Sequence, residues 1–282
     1  HSSLSPSVLT AASNKAAAQN NEIVDVEAET AQQQNDIQVV QTETPPEVKA
    51  CLSDIQDTMG VPWKPANWRN YATYPEVMQL FWQRLKPAVE TEAFLRNSIA
   101  IAERAYLEVN RWYQPSYQIN LSPSERQHIQ RELNAFTFGN PQLLIQQVAL
   151  SRALQGEIVG RDGKAEPRHN PSPYRHPEIQ LLDEQAVESR SPQLQQVYQD
   201  IKQTLGLTVV NSDYQALAKW QAFFLPAWED VKQCRQHQEY RTLEQQLLAI
   251  ADDAANRLHP KVIIGETEVR DLLNDPGDFD NL

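Results

Sequence analysis

The chain has 282 residues, a formal charge of −12 and only 8 glycines among abundant Gln, Ala, Leu and Glu. Its length suits one large domain or two modest ones, and its composition favours helices joined by proline-marked turns. The acidic balance excludes a nucleic-acid surface, which needs clustered Lys and Arg, and no apolar run reaches the roughly 18 residues that a membrane span requires.

Residues 1–43, including "AAAQNNEIVDVEAETAQQQND", carry little apolar surface to offset ordering entropy, so a disordered tail is expected there. It lacks a charged-then-apolar signal pattern. Two cysteines, Cys51 and Cys234, make neither a disulfide framework nor a metal site, and a cytoplasmic location is expected.

From Pro46 onward the chain repeats itself. "PEVKACLSDIQDTMGVPWKPANWRNYATYPEVMQLFWQRLK" lies over "PQLQQVYQDIKQTLGLTVVNSDYQALAKWQAFFLPAWEDVK", which starts at Pro192, at an offset of 146 residues. Pro46, Asp54, Ile55, Thr58, Gly60, Ala72, Trp82 and Lys86 then meet identical residues at Pro192, Asp200, Ile201, Thr204, Gly206, Ala218, Trp228 and Lys232. A period this long marks a duplicated half and not a solenoid array. The expected organisation is a first helical repeat over 44–160, a linker over 161–190 and a second helical repeat over 191–282. The two repeats are expected to pack about a pseudo-twofold axis in an all-α fold.

Each repeat reads as the same helical series. Thr44 or Ser191 caps a helix, Pro45 or Pro192 takes its first position, and Gly60 or Gly206 ends it. A short apolar stretch follows, then a helix carrying the Trp, then a longer helix. In that longer helix Leu95, Ile99, Ala102, Tyr106 and Val109 form a core stripe in the first copy, as do Leu243, Leu247, Ile250 and Ala254 in the second. Beyond Trp112, Ser122 caps a further helix with Pro123 at its first position and Glu125 completing a capping box. Asn140 and Pro141 are read as opening a last helix. In the linker, His169 and His176 near Asp162 and Glu166 lack tight ligand spacing and read as a surface loop.

The triplet Asn211, Ser212, Asp213 stands where an apolar run gives way to a helix. Its simplest reading is a capping cluster, since all three residue types suit a helix N-terminus. The functional reading makes Asp213 a general base in a cleft between the repeats, a role that contributes ~10²–10⁴ in rate. At the 146-residue offset Asp213 faces Asn67. A cap tolerates either residue, whereas a base needs the carboxylate in one copy only.

The paired segments "IQDTMGVPWKPANWRNYATYPEVMQLFWQRLKP" and "IKQTLGLTVVNSDYQALAKWQAFFLPAWEDVK", with "FGNPQLLIQQVALSRALQG", resemble the group I, DL-acting 2-haloacid dehalogenases over roughly Thr44 to Arg257. The resemblance implies an all-helical fold of two repeats, a homodimer, and cofactor-free hydrolysis of both enantiomers of a small 2-haloacid. In that reaction an activated water displaces halide with inversion and no ester intermediate forms. The resemblance puts the water-activating aspartate at Asp213, the adjacent serine at Ser212 and a pocket-wall tryptophan at Trp63. Asn140 is a candidate side-chain donor to the substrate, and the amides at the starts of the "NPQ" and "NSD" helices are candidate anion holders.

The second copy continues for 25 residues, Leu258 to Leu282, where the first has 45, Trp112 to Gly156. It is therefore expected to lack a final apolar helix. The face beside residues 243–257 is expected to be covered by the linker or tail, or to bind a second subunit or another protein. A non-catalytic, partner-binding descendant of the scaffold is accordingly the alternative to a hydrolase.

Overall fold

The computed structural model describes residues 44–115, 119–169, 178–188 and 191–282; the expected tail and His176 lie outside them. The described residues are helical, with isolated bridges between Thr91 and Pro167 and between Val159 and Val262 as the only β contacts among them. None of their helices is long and apolar enough to cross a membrane.

The first half runs α1 (Pro46–Met59), α2 (Ala66–Tyr71), α3 (Pro75–Val89), α4 (Glu92–Trp112) and α5 (Pro123–Leu154). After α6 (Glu184–Glu188) come α7 (Pro192–Leu205), α8 (Ser212–Leu217), α9 (Gln221–Cys234) and α10 (Gln238–Ala255). Short elements follow, α11 (Glu266–Arg270) and a 3₁₀ turn (Pro276–Asn281). The starts of α7, α8, α9 and α10 each fall 146 residues after those of α1, α2, α3 and α4.

Local chemistry explains the matched boundaries. Pro46 and Pro192 open their helices, where a missing N–H costs nothing. Gly60 and Gly206 close them in the left-handed conformation, at φ 69° and 65°, which glycine adopts without a Cβ penalty. Within each half the first and third helices are bracketed by the same polar cluster. Trp82 Nε1 and Lys86 Nζ donate to Asp54 at 2.7 and 2.8 Å, and Trp228 Nε1 and Lys232 Nζ donate to Asp200 at 2.8 and 2.7 Å. Three of the aligned identities thus share one structural job.

Three expectations need correction. Pro45, not Thr44, stands at the cap of α1, because the helix begins one residue later, at Pro46; Ser191 does cap α7, accepting from the Leu194 amide at 3.4 Å. The stripe on α4 has a different phase: Phe94, Ser98, Ile101, Ala105 and Val109 are buried beside Leu95, while Ile99 and Tyr106 are each 41% exposed. Apolar residues occur on both sides of this helix, so only the packing of α4 against α10 and α5 selects the buried side.

The expected helix break at Asn140 is absent. α5 continues through Pro141 after opening with the Ser122–Glu125 capping box. Proline within a helix removes one backbone bond and crowds the preceding turn; here the Gln142 side chain bridges that region, donating to Phe138 O at 3.2 Å and to Met59 O at 3.3 Å. Burial of nearly every residue from Gly139 to Leu150 holds the helix together across the proline.

The face beside residues 243–257 is covered from within the described chain. Leu243, Leu247, Ala251 and Ala254 are buried and α10 packs on α4 and α5, while at the junction of first repeat and linker Val159 pairs with Val262 and Arg161 N donates to Leu258 O at 2.8 Å. α5 serves two cores: its later turns pack with the first half, and Ile129 and Leu133 join Leu194, Tyr198, Phe224 and Trp228 of the second.

Candidate active site

All six residues of α8 are buried, including the polar Ser212, Asp213 and Gln215. Such a helix must be held by its surroundings. It packs on α5, accepts at Gln215 O from Leu182 N at 3.0 Å, and folds the Gln215 amide back to Val210 O at 2.9 Å. Beyond its C-terminal end, Lys219 Nζ reaches the buried Glu132 of α5 at 2.7 Å, and Trp220 Nε1 donates to the same carboxylate at 3.1 Å.

Asp213 is 2% exposed. It is not the N-cap: that position belongs to Asn211, whose side chain makes no capping bond. Asp213 Oδ1 instead accepts from the following amide, Tyr214 N, at 3.0 Å. A buried carboxylate costs several kcal/mol in desolvation, so it persists only where hydrogen bonds or function compensate. Burial, with the Asp213 charge adding to it, pushes the Tyr214 phenol well above its ordinary pKa, so this ring stays neutral beside the acid.

Trp63 is 1% exposed, and its ring stands 4.1 Å from that of Phe136 on α5. The indole lies against Gly139, where an added Cβ would come within 2.5 Å of Trp63 Cη2. Asn140, buried, follows directly on α5. Trp63 and the residue preceding Asn140 are therefore in contact, and α8, with Ser212 and Asp213, packs on the same helix. The linker adds a tie, since Ile179 N donates to Pro62 O at 2.7 Å while Leu182 N holds Gln215.

The two helix starts proposed as anion holders do not serve. The "NPQ" segment lies inside α5, and α8 is six residues long, too short to build a useful dipole. Among the described residues there is no cluster of His, Cys, Asp and Glu suited to a metal, and Asp162 of the linker pairs with Lys261 at 2.9 Å. A separate cavity of about 200 Å³ between α4 and α5, lined by Ile99, Asn134, Thr137 and Phe138 among others, contains none of Asp213, Ser212, Trp63 and Asn140.

Residues not foreseen from sequence complete the region. Arg69 of α2 reaches across to α8, donating from Nη2 to Ser212 Oγ at 3.5 Å and to Gln215 Oε1 at 3.4 Å. Gln146 and Gln147 of α5 accept from Trp68 Nε1 at 2.9 Å and Tyr71 Oη at 3.2 Å, so α2 is fixed to α5 through buried amides. The available signals were glutamines embedded in the apolar run "NPQLLIQQVAL" and an arginine aligned by the repeat with Gln215.

The family described as "Halocarboxylic acid dehydrogenase DehI" matches residues 62–214. The chain is 30% identical over 198 residues to an (R)-2-haloacid dehalogenase of Pseudomonas putida, a match that covers 67% of this chain and 65% of that protein. It is 25% identical over 250 residues to a configuration-inverting 2-haloacid dehalogenase of Pseudomonas sp. (strain 113), covering 79% and 80% of the two chains. Among solved structures, a D-2-haloacid dehalogenase in complex with L-LA matches with a TM-score of 0.77 and 27% identity over 84% of each chain.

Proposed function

The chain belongs to the DehI family, and from that premise we propose that it is a hydrolase that converts small 2-haloacids to 2-hydroxy acids with inversion. Asp213 is the base. Its carboxylate takes a proton from a water as the water oxygen attacks the carbon bearing the halogen; the carbon–halogen bond breaks in line, halide leaves with the bonding pair, and Asp213 later releases the proton to solvent. The attack comes from the side opposite the halide, which inverts the centre. Asn140 orients the water or substrate, Ser212 donates to the substrate, and Trp63 supplies an apolar wall. The observation that carries this reading is the burial of Asp213 in a helix whose equivalent position in the first half is Asn67, at the 146-residue offset. A buried base meets its water without competition from bulk solvent.

The similarity to (R)- and D-2-haloacid dehalogenases supports turnover of the (R) enantiomer. Acceptance of both enantiomers, as the group I resemblance implies, is the wider form of the same reading. The test is halide release from (R)- and (S)-2-chloropropionate by the native chain and by Asp213→Asn. The amide keeps the shape and removes the base, so release is expected to fall by about 10²–10⁴. No release by the folded native chain, or undiminished release by the variant, overturns the assignment. Label from ¹⁸O-water is expected in the product and not on Asp213 after a single turnover.

We further propose that the repeats, 44–160 and 191–282 with linker 161–190, pack about a pseudo-twofold axis with this one site between them. Matched helix boundaries and the paired Asp–Trp–Lys clusters support that arrangement. A homodimer is the proposed assembly, supported by the exposed Ile99, Tyr106 and Leu107 on α4. A reducing, cytoplasmic setting suits the free Cys51 and Cys234. Light scattering of the purified chain tests the assembly, with a monomer overturning it.

A further inference from the structure

Arg69 is a part-buried cation with no carboxylate at ion-pair distance among the described residues. Its Nη2 makes bonds of 3.5 and 3.4 Å, both to neutral oxygens of α8, where a charge-assisted bond runs about 2.7–2.9 Å. Its Nε is buried and has no hydrogen-bond partner among the described residues. Among those residues Asp183 acts on it electrostatically, but no carboxylate stands at ion-pair distance. A buried donor left unpaired costs about 1–3 kcal/mol, and more on a charged group, so the arrangement calls for a ligand that restores the pairing.

The repeat sharpens the point. Across the two halves Asn67 corresponds to Asp213 and Arg69 to Gln215. One half supplies an acid and the other a cation, each matched by a neutral amide in the opposite copy. Ser212, whose Oγ is bonded to Arg69, is the immediate neighbour of Asp213. The cation therefore sits within one residue of the base.

This distribution suits the chemistry of the dehalogenase reading, on which the inference rests. The water activated by Asp213 becomes anionic as it attacks, the substrate already carries a carboxylate on the adjacent carbon, and the protein's own formal charge is −12. Two like charges would approach each other unless the carboxylate were neutralised. The Nε–Nη2 edge of a guanidinium matches a carboxylate with two parallel bonds, a geometry that lysine cannot provide.

We propose that the Nε–Nη2 edge of Arg69, with Ser212 Oγ beside it, is the seat of the substrate carboxylate, making Arg69 the residue that selects acids over neutral haloalkanes and haloamides. The long bonds to Ser212 and Gln215 hold the guanidinium in place until the anion arrives.

The experiment titrates the full chain calorimetrically with lactate and propionate, and with lactamide as the neutral control. The native chain is expected to bind both acids and not the amide, and Arg69→Gln to weaken acid binding about 10- to 100-fold. Arg69→Lys is expected to recover only part of it. Equal binding of acid and amide by the native chain, failure to bind the acids, or unchanged binding by a folded Arg69→Gln overturns the proposal. Asp183→Asn is the second variant, because it removes the competing charge while asparagine can still accept the Ala186 amide now held by Asp183 at 2.7 Å. It is expected to tighten acid binding about two- to tenfold; unchanged or weaker binding counts against the seat even if Arg69→Gln fails to fold. Halide release measured in parallel separates the two readings. Acid binding that depends on Arg69 without halide release keeps the seat and loses the dehalogenase, and release with kcat/KM unmoved by Arg69→Gln does the reverse.

Discussion

Arg69 and Gln215 stand 146 residues apart in the chain and are joined by a hydrogen bond of 3.4 Å from Nη2 to Oε1. The same number separates the copies of the repeat. Two residues that hold one position in two copies meet only where the copies face each other, as at an isologous contact. In the proposed pseudo-twofold arrangement the candidate site would lie at this meeting line, and its asymmetry would follow: a position beside the axis is the place where a change in one copy is felt by both.

The paired polar clusters behave as equals. Trp82→Phe and Trp228→Phe each remove one indole donor from a carboxylate, Asp54 or Asp200, in the same setting. Each is expected to cost about 1 kcal/mol, and the double variant about the sum, because the clusters are independent. Urea denaturation checks this. A cost confined to one half would mean that the two clusters do different work.

These clusters also set an acid limit. Burial pushes the carboxyls of Asp54 and Asp200 up, but hydrogen bonds from Lys86 and Trp82, and from Lys232 and Trp228, outweigh it and hold both below the ordinary value of 3.8. A lowered folded-state pKa means that the unfolded chain binds the proton first. The stabilisation is therefore complete above pH 4 and fades as pH falls through the lowered values. Both side chains are about two-fifths exposed, so each share stays below about 1 kcal/mol. In Asp54→Asn/Asp200→Asn the loss of stability between pH 5 and pH 3 is expected to be shallower than in the native chain, as thermal melts across that range would record.

Gly139→Ala is expected to displace Trp63. The new methyl would start 2.5 Å from Trp63 Cη2 and 2.8 Å from Val61 Cγ1, in a packed interior with no room to yield. Overpacking of this kind costs about 1–3 kcal/mol. A lower Tm with altered indole fluorescence and a raised KM is the expected result, and an unchanged KM would remove Trp63 from the substrate wall.

Glu132→Gln tests the tether of α8. Glu132 is 3% exposed and pairs with Lys219 at 2.7 Å, so the variant leaves the lysine without its anion. Breaking a buried pair costs about 3–5 kcal/mol; because Lys219 is 20% exposed, the lower end applies. The release of α8 is expected to lower kcat for halide release as well as stability. A stability loss with full turnover would show that α8 needs only its contacts with Arg69 and the linker.

Much of the architecture is local and therefore written along the chain. Pro192 and Gly206 start and stop a helix by their own covalent chemistry, Ser122 and Glu125 cap one from three residues apart, and the repeat aligns Asp54, Trp82 and Lys86 with their counterparts before any contact is known. Asp213 could be singled out for the same reason, since it differs from Asn67 at a matched position. Tertiary packing decided the rest. Helical periodicity gives the spacing of a stripe but not its phase, so only the neighbours of α4 make Ile101 a core residue and leave Ile99 exposed. Pro141 reads as a helix start until burial on all sides carries α5 through it. The depth of Asp213 and the unmatched charge of Arg69 depend on groups that lie far away in the chain, and desolvation is a property of the assembled interior that no short stretch of residues contains.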